Sequence, residues 1–129
     1  NQAKELSVFD NIEIVKRVEH KNIYNYIAQS TVGVLSNRYD ADGLLFTSPL
    51  KLYEYLGSGL KVVVSRLPSI ESNINESLVY YATPEKPESF AKEIIRALDD
   101  DDFDINKIKD FSKNYTWESR SKSFMKFIS

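Results

Sequence analysis

"TSPLKLYEYLGSGLKVVVS", residues 47–65, sets out a helix start, a short helix, a glycine stop and a buried strand in one run. Ser48 suits an N-cap, and Pro49 suits the first helical position, where its missing N–H costs nothing. Gly57-Ser58-Gly59 supplies the stop, because glycine accepts the left-handed conformation that closes many helices. These signals bracket a helix of about eight residues. At about 100° per residue, Leu52, Tyr55 and Leu56 share one stripe and Lys51, Glu54 and Ser58 share another. "KVVVS" (61–65) follows as a short β-branched run, the pattern of a strand covered on both faces.

The same grammar extends outward. "IEIVKRV" (12–18) is β-branched and alternating, which predicts a strand, and "NIYNYIAQS" (22–30) places Ile23, Tyr26 and Ile27 at helical spacing. "TVGVLS" (31–36) predicts a buried strand, followed by the long connection "NRYDADGLLFT". A helical turn is expected near Ile70 to Ile74, then a strand in "LVYYA" (78–82). "PESFAKEIIRAL" repeats Phe90, Ile94 and Leu98 at four-residue spacing as an amphipathic helix. "INKIKDFSKNY" and "WESRSKSFMKFI", the latter capped by Thr116, complete the series. Short apolar strands alternating with helices predict an α/β, Rossmann-like three-layer domain with a parallel sheet of about four strands. Ligands bind such sheets outside the carboxyl ends of the strands.

The bulk properties set limits. The chain has 129 residues, the size of one domain over 1–129, with 42% apolar and 28% charged residues. A net charge of −2 with interspersed signs offers no basic footprint for nucleic acid. Absent cysteines exclude disulfides and thiolate sites and fit a reducing, cytoplasmic compartment. No run of about eighteen apolar residues exists, and no signal-peptide layout opens the chain. Asn75 and Asn114 then head accidental N-x-S/T strings. The start at Asn1, with a polar lead like the end of a helix, reads as a piece of a longer polypeptide.

Several residues invite a chemical reading. The helix opened by Ser48 leaves a long strand-end loop, where unpaired N–H groups favour an anion; the plain alternative is a capped helix that binds nothing. Glu54 lies five residues beyond Pro49, roughly 7.5 Å along the axis, which is the reach from a phosphate to the ribose hydroxyls of one nucleotide. Its plain alternative is a solvated carboxylate paired with Lys51. Gly57-x-Gly59 follows a helix and precedes a strand, the reverse of dinucleotide-binding order. Asp40-Ala-Asp42 and "DDDDFD" contain D-x-D strings, too short to specify a metal. His20, the one histidine, has no Cys, Ser or second His in a recognisable partner arrangement and reads as a loop or capping residue.

"SPLKLYEYLGSGL" (48–60) followed by "KVVVSRLPSIES" (61–72) resembles the donor-binding segment of the group 1 retaining glycosyltransferases of the GT-B fold. The resemblance covers nearly the whole chain. "NIEIVKRVEHKNIYNYIAQSTVGVLS" (11–36) is similar to that family's strand, nucleobase loop, helix and strand. "TPEKPESFAKEIIRAL" (83–98) is similar to the helix after its last strand. "YTWESRSKSFMKFI" (115–128) is similar to its closing helix, which starts at a Trp and returns toward the other domain.

The resemblance implies a donor site. Glu54 matches the second glutamate of a paired-glutamate signature and would accept hydrogen bonds from the donor's ribose hydroxyls. Thr47, Ser48 and Leu50 match the loop and first turn whose N–H groups hold diphosphate and sugar. Lys51 joins this set, and Arg17 and Val18 fall where the family contacts the nucleobase. Phe46 stands where the first glutamate is expected, a feature of the subgroup with a "SPLKLFEYMASG"-like segment.

The implied activity is retaining transfer of a hexosyl-type group from a nucleotide diphosphate sugar to a saccharide or lipid-linked acceptor. No cofactor or metal is expected. The acceptor is expected to be held by an amino-terminal domain, leaving this piece inactive alone. Polysaccharide assembly at the cytoplasmic side of a membrane, with peripheral association of the parent protein, is the implied setting. A non-catalytic flavodoxin-like or receiver-like binding module is the alternative. The expected strand ends Val18, Ser36 and Ser65 lack the acidic residues that a receiver needs.

Overall fold

The computed structural model describes residues 9–39 and 50–128. A short 3-10 turn, Phe9–Asn11, leads into an irregular segment. The regular elements are α1 (His20–Ala28), β1 (Val32–Leu35), α2 (Leu50–Gly57), β2 (Lys61–Ser65), α3 (Pro68–Glu71), β3 (Tyr80–Ala82), α4 (Pro87–Asp99), α5 (Ile105–Lys113) and α6 (Trp117–Ile128). The strands form one parallel sheet in the order β1-β2-β3, with Val34 opposite Val63 and Val64 opposite Tyr81. The α/β, Rossmann-like reading of the sequence therefore holds.

β2 is central and covered on both faces. Val62 and Val64 pack with Leu52 and Leu56 of α2, Ile70 and Ile108. Val63 packs on the opposite side with Tyr80, Ala82 and Ala97. Successive strand residues point to opposite faces, so three consecutive valines can all be fully buried only between two helical layers. Lys61 opens β2 and donates from Nζ to the carbonyls of Ala97 and Asp100, where α4 ends. A cation there satisfies carbonyls left over by the helix.

The stop after α2 is a Schellman arrangement. Leu60 N–H donates to Tyr55 O at 3.0 Å and Gly59 N–H to Leu56 O at 3.0 Å, with Gly59 at φ +78°. A Cβ at Gly59 would also meet Lys109 Cε at 2.7 Å. Thr116 caps α6 as expected, its Oγ1 accepting from Ser119 N–H at 3.1 Å, and Asp104 caps α5 through Lys107 N–H.

Two expectations are corrected. Ile12 to Val18 forms no strand: the segment is irregular, and Ile14 is 72% exposed. β-branched alternation favours a strand only where a partner strand and a packing face exist. Among the described residues β1 pairs only with β2, so the sheet has three strands rather than about four. The last strand is also shorter than "LVYYA", because Leu78 and Val79 belong to the turn that precedes it and are buried there.

Two buried phenols give the fold a signature at high pH. Burial pushes Tyr81 up to about 12, and its hydroxyl donates to Ile74 O at 2.7 Å. Tyr80 is raised by burial first and then by its hydrogen bond to Asp100, at 2.6 Å. An unfolded phenol ionises near pH 10, so above that value the unfolded chain sheds protons that the folded chain retains. Stability is predicted to be indifferent to these groups below about pH 10 and to fall as pH rises from about 10 to 12. Denaturant titrations across that range check it; a flat profile contradicts it.

Candidate functional site

The site is built on α2, whose apolar stripe is spent on the core. Leu52 and Leu56 are buried, and Tyr55 lies over Gly33 of β1, where an added Cβ would meet Tyr55 Cδ2 at 2.7 Å. That close approach fixes the helix against the sheet and turns Leu50, Tyr53, Glu54, Gly57 and Ser58 toward an open cavity of about 820 Å³. His20 and Tyr24 of α1 form one wall. Lys109, Ser112 and Lys113 of α5, with Tyr115 and Thr116, form the other. Tyr53 stacks on Tyr115 at 4.9 Å between ring centres, which ties α2 to the end of α5.

Glu54 is partly shielded, its side chain 29% exposed, and Oε1 lies 3.6 Å from His20 Nε2. The plain alternative paired it with Lys51; the contact in the structure reaches across to α1 instead. His20 is the first residue of α1, with Glu19 at the N-cap position, so its reading as a loop or capping residue is corrected. The pairing is invisible in the sequence because it depends on how α1 packs beside α2.

The other proposed residues divide. Leu50 opens α2 and faces the cavity, 58% exposed, while Lys51 is exposed and lies outside the cavity lining. Arg17 is exposed and Val18 half-buried in the irregular segment that leads into His20. Chain continuity thus delivers that segment to Glu54, without placing either side chain in the cavity wall. Thr47, Ser48, Phe46, Asp40 and Asp42 lie outside the described residues. Tyr24, Lys109 and Lys113 had no signal in the sequence, since their role as walls follows only from tertiary packing.

The carboxyl edge of the sheet is ordered by one buried hydroxyl. Ser65 ends β2 fully buried, its Oγ accepting from Asn37 N–H and donating to Asn37 O, both at 2.8 Å. This pair pins the chain as it leaves β1 toward the long connection before α2. Beside it, Arg66 donates to Glu71 and Glu76, both at 2.7 Å, and stacks over Tyr81 at 4.8 Å. The two carboxylates raise its pKa and both accept from its Nη1, which ties this strand-end cation to α3 and the turn before β3. Among the described residues no group of three His, Asp or Glu side chains could hold a metal ion. None of the helices described is long and apolar enough to cross a membrane.

Replacing Ser65 with Ala is predicted to strand the Asn37 amide and carbonyl, at a cost of about 1–3 kcal/mol. Urea denaturation measures it, and unchanged stability would show that the clamp contributes nothing.

No curated relative matches the chain. The family model described as glycosyl transferases group 1 matches residues 1–100, which span all three strands, α2 with Glu54 and the whole of α4. That match disposes of the receiver-like alternative: the chain belongs to the group 1 glycosyltransferases.

Proposed function

We propose that residues 1–129 form the nucleotide-sugar half of a two-domain GT-B glycosyltransferase, with the acceptor held by a domain outside this chain. Glu54 accepts hydrogen bonds from the donor's ribose hydroxyls. Backbone N–H groups of Thr47, Ser48 and Leu50 hold the diphosphate and sugar, aided by the positive amino end of α2, with Lys51 joining the set. Arg17 and Val18 border the nucleobase. The observation that carries this reading is Glu54 itself, a partly shielded carboxylate opening into a cavity that the start of α1 also lines.

The reaction is transfer of a hexosyl-type group with retention. The bond from the anomeric carbon to the diphosphate oxygen breaks, a bond to the acceptor oxygen forms on the same face, and the acceptor's proton leaves with the diphosphate. Negative charge grows on the leaving diphosphate, and oriented N–H groups and basic side chains stabilise it without a metal. Phe124, Met125 and Phe127 of α6 are exposed apolar surface suited to pack on the acceptor domain. The acceptor is a saccharide or lipid-linked saccharide, assembled at the cytoplasmic face of a membrane with which the parent enzyme associates peripherally.

Glu54→Ala in the intact polypeptide is expected to weaken nucleotide-donor binding by roughly tenfold to a hundredfold, the worth of hydrogen bonds to a charged group. Calorimetric titration with UDP-, GDP- and ADP-linked sugars reads it. Unaltered affinity and transfer rate would contradict the assignment.

A further inference from the structure

His20 is the described residue that the structure places in ion-pair range of Glu54, with Nε2 at 3.6 Å from Oε1. The separation is too long for a hydrogen bond but suits an attraction between imidazolium and carboxylate. Tyr24, one turn along α1, meets the imidazole edge-on with ring centres 6.2 Å apart and planes at 86°. The neighbouring cation Lys21 is taken by Glu19 at 2.8 Å, which leaves His20 to face α2. All three side chains, Tyr24, His20 and Glu54, lie on the cavity surface.

A glutamate on a helix face samples several rotamers, and ordering it costs entropy when a ligand binds. A carboxylate offers about four lone-pair sites, so a cation beside one oxygen leaves acceptors for two hydroxyls. We propose that His20 is a positioning residue for Glu54: supported by Tyr24, its imidazolium holds the carboxylate against the cavity wall, oriented for vicinal hydroxyls before the nucleotide arrives. The proposal rests on the reading of Glu54 as the ribose acceptor. His20 is 75% exposed, so replacing it leaves the core untouched.

The test compares the intact polypeptide and its His20→Ala, His20→Gln, Glu54→Gln and His20→Ala/Glu54→Gln variants. Each is titrated at about pH 6. The probes are UDP, GDP and ADP, each with its 2′,3′-dideoxy counterpart. His20→Ala is expected to weaken ribonucleotide binding about two- to fivefold, in line with exposed ion pairs. His20→Gln, which can still donate to a carboxylate, should recover part of that loss. The loss should vanish for the dideoxynucleotide and in the Glu54→Gln background. Full affinity in His20→Ala, with Glu54→Gln weakened, overturns the proposal and leaves the ribose reading standing. A His20→Ala loss that persists without the hydroxyls or without the carboxylate also overturns it. If Glu54→Gln binds ribo- and dideoxynucleotides as the unsubstituted protein does, the ribose reading falls and the proposal with it.

Discussion

Complete burial of β2 is the constraint on which the other features depend. Val62, Val63 and Val64 are each fully buried, and a strand with no exposed face forces helices onto both sides of the sheet. One layer includes α2, whose buried Leu52 and Leu56 fix its rotation about its own axis. With the rotation fixed, Glu54 has one direction in which to point. The cavity and its carboxylate are thus consequences of core packing.

The ends of β2 carry the remaining order. Lys61 at its start ties down the carboxyl end of α4, and Ser65 at its finish holds the backbone that leaves β1. A parallel sheet collects its strand-end loops on one edge, which is where a ligand can meet residues from several parts of the chain. Here α1 and α2 meet across the cavity, and the His20–Glu54 contact marks their junction. The family places glycosyl transfer in this fold.

Legibility in the sequence followed the range of the interaction. Residues 50–65 are legible nearly whole, because glycine stops and β-branched runs act over a few residues. Gly59 took its left-handed turn and Thr116 its cap as their local signals require. Ile12 to Val18 misled because alternation announces a potential strand, while forming one needs a neighbour. Asn37 and Ser65 join across 28 residues, and His20 meets Glu54 only through the packing of two helices; neither pairing leaves a trace in spacing. Glu54 stands out by its position on α2, whereas its neighbour across the cavity, His20, has no signal in the spacing.

The most direct measurement is a crystal structure of the intact polypeptide with a nucleoside diphosphate bound. The account predicts the ribose hydroxyls within hydrogen-bond distance of Glu54, about 2.5–3.0 Å, and the diphosphate at the amino end of α2. A nucleotide seated elsewhere, or one with its ribose turned away from Glu54, would contradict it.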